Sequence, residues 1–200
     1  MAFDDLLGGR DDDRTTSRER DRWIGVYIGV LAVLLALCSM GGGNAAKDAT
    51  QSNIEASNIW AFFQAKNIRR QVIRSQIEDL EVLLATAPSL ADTQKAMIAE
   101  KIAAHRSFEA KLTTDAQSGE GLDELFKKGK AVEARRDAAM AKDPYFGYGQ
   151  ALLQIAIVLA SVAIISGGSS LLGLSFVLGV LGTVTTLNGF LMVVRFPFIG

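Results

Sequence analysis

Cysteine, histidine and proline are scarce in this chain, with one, one and three occurrences among 200 residues. Cys38 alone cannot form a disulfide within the chain, so no disulfide framework holds the fold together. A single cysteine also does not indicate whether the protein lies in an oxidising or a reducing compartment. The single histidine, His105, is far from Cys38 in the sequence. This excludes metal sites built from His and Cys ligands and Cys–His catalytic pairs. We interpret His105 as a partly buried structural residue.

Motifs for phosphate binding and for nucleophilic hydrolysis are also missing. The sequence contains neither Gly-x-x-x-x-Gly-Lys nor Gly-x-Ser-x-Gly, the patterns that cradle phosphates or present a reactive serine. Acidic pairs such as Asp123-Glu124 have no visible reactive partner and are interpreted as solvated charge on a helix. We therefore expect no enzymatic activity, no cofactor and no metal, and we identify no small-molecule substrate.

An excess of charge of one sign is absent as well. The net charge is −1, and residues 41–148 contain fifteen basic and fifteen acidic side chains. A nucleic-acid-binding protein needs a basic face, which this balance does not provide. No strand-like alternation of apolar and polar residues occurs in the middle of the chain, so the charged part is predicted to be helical.

Three long apolar runs stand out against this background, at residues 23–40, 145–166 and 171–194, and none contains Asp, Glu, Lys or Arg. Each is long enough as a helix to cross a hydrocarbon core of about 30 Å, and the backbone can span lipid only if its polar groups pair internally. The sequence therefore predicts an all-α integral membrane protein with three transmembrane helices. Charged residues within a span would be typical of a proton relay or an ion path, and they are lacking.

The remaining parts are a polar tail at 1–22, a soluble helical domain at 45–142 and a C-terminal tail at 195–200. We expect Gly41-Gly42-Gly43-Asn44 to break the first helix or to form a hinge. In the soluble domain, helices are predicted to run to Thr86 before Pro88, from Ser89 or Asp92 to about 112, and over 122–141. They form an elongated helical hairpin or a three-helix bundle. The first of these helices carries a broad apolar stripe at four-three-four spacing, formed by Ala61, Ala65, Ile68 and Val72 and, one position on, by Ile73, Ile77, Leu80 and Leu84.

The distribution of arginine predicts the orientation in the membrane. Five arginines precede the first span, and only Lys47 lies in the twenty residues after it, so the positive-inside rule places the N-terminus in the cytoplasm. The helical domain is then periplasmic, in the inner membrane of a bacterium. Basic residues before the second span favour the reverse orientation: Lys130, Arg135, Arg136 and Lys142. We expect the first span to be an uncleaved signal anchor. The alternatives are a cleaved signal peptide and a lipoprotein site at Cys38.

Small and amide residues in the spans are typical of helix packing. Gly25 and Gly29 form a small-xxx-small pair in the first span. Amides in hydrocarbon seek a partner on another helix, so Gln154 and Asn188 are expected to face one. The residues predicted to pack between transmembrane helices are Gly25, Gly29, Gln154, Ser175, Gly179, Gly182 and Asn188.

Residues 53–69 read NIEASNIWAFFQAKNIR, in which a tryptophan and two further aromatics precede Gln-Ala-Lys. This stretch and the second span at 151–161 (ALLQIAIVLAS) resemble a bacterial family of small membrane proteins known as domain of unknown function 4337. The order of one span, a helical middle and a two-span hairpin resembles that family too. The resemblance implies this architecture and no established activity.

Aromatic residues are concentrated in the same stretch and cannot all lie on one side of a helix, since Phe62 points away from Trp60 and Phe63. We predict a contact surface for a second copy or another protein, formed by Trp60, Phe62, Phe63, Gln64, Lys66 and Arg69. Packing of all three aromatics within the chain, and binding of lipid headgroups by Gln64, Lys66, Arg69 and Arg70, are alternatives.

The predicted function is that of a non-catalytic membrane scaffold or accessory subunit that self-associates or docks onto a larger membrane complex. Its partners would be the lipid bilayer and either another copy or a membrane protein complex. The alternative is a small transporter, channel or sensor that binds a ligand or lipid through its extramembrane helices.

Overall fold

A computed structural model describes residues 4–194, with side chains from residue 18 onward. It contains five α-helices, and no strand occurs in the described part, which confirms the all-α fold. The helices are α1 (Asp4–Thr86), α2 (Asp92–Thr113), α3 (Leu122–Met140), α4 (Asp143–Ser166) and α5 (Ser169–Leu191). The predicted C-terminal tail at 195–200 and the side chains of Arg10 and Arg14 lie outside the described part.

The chain divides into two compact units. The first, unit 1, comprises Met1–Asp48 and Ala138–Gly200, and unit 2 comprises Ala49–Asp137. Helix α1 contributes its first part to unit 1 and its last part to unit 2, while α4 and α5 belong to unit 1 and α2 belongs to unit 2.

Three helical segments are long and apolar enough to cross a membrane, within Arg18–Thr86, Leu122–Ser166 and Ser169–Leu191. They carry the predicted runs 23–40 and 145–166 and residues 171–191 of the third run, since α5 ends at Leu191. Between α4 and α5, Gly167 adopts a left-handed conformation with φ 68°, which glycine tolerates because it has no Cβ. The guanidinium of Arg20 donates to the carbonyl oxygen of Gly167 at 3.2 Å. The start of the first apolar run and the α4–α5 turn therefore lie at the same end of unit 1.

The expected break at Gly41–Asn44 is wrong, since α1 continues through it. The glycines serve close packing instead. A Cβ on Gly41 would lie 2.5 Å from Phe146 Cε1 and 2.6 Å from Phe190 Cζ, and one on Gly42 would lie 3.1 Å from Phe146 Cβ. The two rings meet edge-to-face with centroids 4.9 Å apart. Phenylalanine rings thus occupy the space that side chains would need on this face of α1.

The core of unit 1 joins α1, α4 and α5. Its buried members include Leu31 and Cys38 of α1 and Phe146 and Leu153 of α4. The thiol of Cys38 donates to the carbonyl oxygen of Phe146 at 3.2 Å, so this cysteine is a buried packing residue.

In unit 2 the last part of α1 packs against α2 and α3. Ten of its buried or half-buried positions alternate in steps of four and three, the spacing of a coiled-coil seam. They are Ser52, Ala56, Ile59, Phe63, Lys66, Arg70, Ile73, Ile77, Leu80 and Leu84. Ion pairs join α1 to α2 at Arg74–Glu109, 2.7 Å, and at Glu81–Arg106, 2.6 Å.

Only the second half of the broad apolar stripe faces inward. Ile73, Ile77, Leu80 and Leu84 belong to the seam, whereas Ile68 and Val72 are exposed. The two halves are offset by one residue, which is about 100° around a helix, so a single partner cannot cover both. The cap of α2 also differs from the expectation. Neither Ser89 nor Asp92 provides it; Ala91 is the N-cap, and its N–H donates to Gln94 Oε1 at 3.2 Å.

Candidate functional site

The aromatic residues of 53–69 separate into two groups, as their spacing predicts. Trp60 and Phe63 lie one turn apart on α1 and meet Phe126 of α3. The Trp60 ring is 5.5 Å from Phe63 and 5.6 Å from Phe126 between centroids, in both cases at 78°. This edge-to-face arrangement is favourable for aromatic quadrupoles. Trp60 and Phe63, both half-buried, therefore pack against Phe126, which keeps 48% of its own surface exposed, in an aromatic cluster of Trp60, Phe63 and Phe126.

Residues of α3 hold the indole of Trp60 in place. A Cβ on Gly129 would lie 2.9 Å from Trp60 Cζ2, so the absence of a side chain lets α3 approach. The indole N–H of Trp60 donates to Glu133 Oε1 at 2.9 Å, and Lys130 Nζ donates to Glu133 Oε2 at 2.8 Å. The hydrogen bond from Lys130, and then that from Trp60, hold the pKa of Glu133 below its ordinary value.

Phe62 lies on the other side of α1, where 45% of its surface is exposed. Exposed apolar residues surround it at steps of four and three. We define the outer face of α1 as Ile54, Ala61, Phe62, Ala65, Ile68 and Val72. Contiguous exposed apolar surface at coiled-coil spacing is typical of a helix that packs against another helix.

The polar residues of the predicted surface also separate. Lys66 Nζ donates to the carbonyl oxygen of Glu120 and lies 5.4 Å from the centroid of the Phe62 ring. Arg70 donates to Asn67 Oδ1 at 2.9 Å. Both cations are thus held within unit 2, whereas Gln64 and Arg69 are exposed. These exposed residues flank the outer face.

In unit 1, three of the residues predicted to pack between spans do so. Ser175 is fully buried, and its hydroxyl donates to the carbonyl oxygen of Ala156 at 2.6 Å. A Cβ on Gly179 would lie 2.8 Å from the phenol oxygen of Tyr27, and one on Gly182 would lie 2.9 Å from Leu153 Cγ. These small residues let α5 approach α1 and α4 closely, as is usual in membrane helices.

The other four residues do not join one helix to another within the described part of the chain. A Cβ on Gly25 or Gly29 would have no heavy atom within 4 Å. Asn188 exchanges hydrogen bonds with the backbone of Val194, at 2.7 and 3.0 Å, and so closes the end of its own helix. Gln154, in the middle of α4, is exposed, and its amide forms no hydrogen bond with any residue from 18 to 194. Gly25, Gly29 and Gln154 thus face outward.

Reactive groups do not converge in either unit. Among the side chains from 18 to 194, no group of three or more His, Cys, Asp or Glu residues could hold a metal ion. His105 is half-buried and lines a shallow cleft with Gln76, Asp79 and Lys101. The hydrogen bonds from Ser118 lower the pKa of Asp115 at the turn before α3. This carboxylate acts as a local cap, with Gln117 N–H and Ser118 N–H donating to it.

Two features of these surfaces were not predicted from the sequence. The first is the role of Glu133 as the hydrogen-bond partner of Trp60. Position 133 follows Phe126 by seven residues and Gly129 by four, so a glutamate on an otherwise apolar face was the available signal. The packing role of Gly41 had no comparable signal, because its partners Phe146 and Phe190 are more than one hundred residues away.

Comparison with known proteins adds one finding. The family model described as domain of unknown function, DUF4337, matches residues 20–192, which confirms the resemblance expected from residues 53–69 and 151–161. Neither the curated proteins nor the solved structures provide a match.

Proposed function

We propose, from the premise that this chain belongs to the DUF4337 family, that it is a non-catalytic membrane scaffold or accessory subunit. It self-associates or docks onto a larger membrane complex through helix packing. The observation that carries this proposal is Gln154, an exposed amide halfway along α4 that has no hydrogen-bond partner among residues 18–194. In hydrocarbon such an amide costs several kcal/mol unless another helix supplies a hydrogen bond.

A second surface supports the same function from outside the membrane. The outer face of α1 leaves 62% of Ile68 and 45% of Phe62 exposed. Exposure of apolar area to water is unfavourable by about 25 cal/mol per Å². Asn58 precedes Ala61 and Ala65 at the same spacing, and polar residues within such a seam select register and partner. The two surfaces offer contacts for a second copy or for another membrane protein.

We infer the orientation in the membrane from the arginines before the first span. The N-terminus is cytoplasmic and the helical domain periplasmic, in the bacterial inner membrane. The hydrogen bond from Arg20 to Gly167 supports the three-span arrangement, because the N-terminal end of the first span and the turn between the last two then lie on the same side of the membrane in either orientation. A transporter or channel is less well supported, since none of the three runs contains a charged residue.

Removal of the Gln154 amide tests the proposal. Gln154→Leu should weaken self-association in liposomes by about fivefold, corresponding to about 1 kcal/mol for one interhelical hydrogen bond. Förster transfer between labelled chains measures the association. Ser161→Ala is the matched control, because the Ser161 hydroxyl already donates to the Ile157 carbonyl of its own helix at 2.9 Å.

A companion variant tests the outer face. Phe62→Gln combined with Ile68→Gln should reduce the mass of the detergent-solubilised particle without lowering its unfolding temperature, since both side chains are exposed. Trp60→Ala should do the opposite and destabilise unit 2, by less than the roughly 3–5 kcal/mol of such a truncation in a fully buried core, because Trp60 is half-buried. A particle that is a 21.4 kDa monomer and that conducts ions in liposomes would contradict the scaffold function.

A further inference from the structure

A groove runs between the first part of α1 and α5 in unit 1. Its α1 wall consists of Arg20, Trp23, Ile24 and Tyr27, which recur at helical spacing on one side of the helix, and its α5 wall consists of Leu172 and Phe176. Its volume is 240 Å³, less than the roughly 300–1,000 Å³ of pockets that enclose a small molecule. A groove of this size can hold one part of an elongated ligand.

Apart from the arginine, the lining of the groove is apolar. Ile24 is buried and forms its floor, while 74% of Trp23 is exposed at its edge. The ring of Tyr27 lies 6.4 Å from that of Phe176 between centroids. Its hydroxyl donates to the carbonyl oxygen of Ser175 at 3.1 Å, so this polar group is already satisfied. The remaining surface suits an alkyl chain.

One cation stands at the end of this apolar surface. The guanidinium of Arg20 is anchored by its hydrogen bond to Gly167 and lies 3.5 Å from the carboxylate of Asp21. These two contacts leave N–H groups available, because arginine has five donors. A guanidinium binds a phosphate through two parallel hydrogen bonds. The groove therefore presents a phosphate-binding group next to a surface for an alkyl chain.

We propose that this groove binds an anionic phospholipid, with its phosphate on Arg20 and the first part of one acyl chain along Trp23, Tyr27 and Phe176. The proposal rests on the membrane insertion in the proposed function. Free phosphate would use the guanidinium alone and leave the apolar walls unfilled, whereas a phospholipid matches both. Arg18 and Arg22 add positive charge nearby and Glu19 and Asp21 offset part of it, which leaves residues 18–22 with a charge of +1.

The tryptophan in the groove provides the test. The chain contains two tryptophans, so a Trp60→Phe variant leaves Trp23 as the only one. This full-length variant is reconstituted in phosphatidylcholine bilayers that contain either dibromo-phosphatidylglycerol or dibromo-phosphatidylcholine, whose bromine atoms quench tryptophan fluorescence on contact. Quenching of Trp23 should reach half of its maximum at a several-fold lower fraction of the anionic lipid than of the zwitterionic one.

Variants assign this preference to the groove. Arg20→Gln should abolish it, and Arg20→Lys, which keeps the charge without the planar fork, should retain part of it. Arg18→Gln and Arg22→Gln are matched controls that remove the same charge about 200° away around the helix, and both should retain it. Leu172→Gln leaves the contact between Arg20 and Gly167 in place and should weaken quenching by both lipids.

Three results would overturn the site. They are equal quenching by the two lipids, an unchanged preference in Arg20→Gln, and an equal loss in Arg18→Gln and Arg20→Gln, which would indicate attraction by overall charge. In each of these the quenching by dibromo-phosphatidylcholine still reports insertion of the first span, so the membrane insertion assumed in the proposed function is not contradicted. Absence of quenching by either lipid would overturn the insertion of the first span and the lipid site together.

Discussion

At the scale of single residues, polar groups in this chain divide by whether a partner exists within it. Glu133 receives hydrogen bonds from Trp60 and Lys130, and Ser175 and Tyr27 are bonded across helices. Gln154 has no such partner among the described residues. In a bilayer the exposed apolar residues of the spans are unremarkable, so this one amide is more informative than all of them.

Glu133 leads to a prediction about pH. Its pKa is lowered in the folded state, so its contribution to stability is present above the pKa of an unfolded glutamate, about 4.3. It is lost as the pH falls through the folded value. We expect unit 2 to unfold more easily below about pH 4.3, and Glu133→Gln to be less stable at neutral pH and to show a weaker dependence on pH.

Trp60 fluorescence in a Trp23→Phe variant measures this unfolding, because the Trp60 indole donates directly to the carboxylate. Glu120→Gln serves as the control, since Glu120 is exposed on a loop and only its backbone carbonyl receives a hydrogen bond from Lys66. Parallel pH profiles for Glu133→Gln and the unaltered chain would show that the carboxylate contributes nothing through its charge.

At the scale of helices, α1 is the element on which both units depend. This helix packs in two different ways. In unit 1, small residues such as Gly41 let aromatic rings lie against it. In unit 2, the residues of one face are buried at alternating steps of four and three. The same helix retains an apolar outer face in unit 2. A helix with two apolar faces can bind its own chain and a partner at once.

The glycines of α1 give a prediction with an internal control. Gly41→Ala should destabilise unit 1, because its methyl group would lie within 2.6 Å of Phe146 and Phe190; overpacking of this kind costs about 1–3 kcal/mol. Gly43→Ala should be neutral or stabilising by up to about 1 kcal/mol, because no heavy atom lies within 4 Å of its Cβ position and alanine favours the helix.

Thermal unfolding in detergent micelles separates the two variants. A hinge at Gly41–Asn44 would make them equivalent, since either alanine would stiffen it to a similar degree. Equal shifts in unfolding temperature would therefore contradict the packing role of Gly41 and restore the hinge expected from the sequence.

At the scale of the whole molecule, the orientation in the membrane decides which partners each surface can meet. The arginines before the first span and the basic residues before the second favour opposite orientations. Since long loops translocate with less regard to charge, we expect the N-terminal arginines to prevail. The outer face of α1 would then be accessible to periplasmic proteins and the lipid groove would be at the cytoplasmic leaflet.

Site-specific labelling measures this orientation. In a Cys38→Ser background, single cysteines replace Ser118 in the loop before α3 and Thr16 before the first span. An impermeant maleimide applied to cells with a permeabilised outer membrane should label Ser118→Cys and leave Thr16→Cys unlabelled. Labelling of Thr16→Cys alone would reverse the topology, and lysed cells, in which both are accessible, serve as the control.

The sequence by itself determined the elements and their order. Helix ends at Thr86 and Ser166, the turn at Gly167 and the three apolar runs depend on residues close together in the chain. Local spacing, a following proline or glycine, and uninterrupted hydrophobicity suffice to predict them. The separation of Phe62 from Trp60 and Phe63 likewise follows from helix geometry alone.

Only the tertiary structure decided which of several suitable faces is used. Two stripes of α1 have the right spacing, and the position of α2 and α3 determines that Ile77 is buried and Ile68 exposed. The sequence around Gly41 predicts a helix break, and only the packing of Phe146 and Phe190 against it shows its actual role. Gln154 and Ser175 are both polar residues in a span, and only Ser175 finds a partner within the chain. Each outcome depends on contacts between residues distant in sequence, which local periodicity cannot specify.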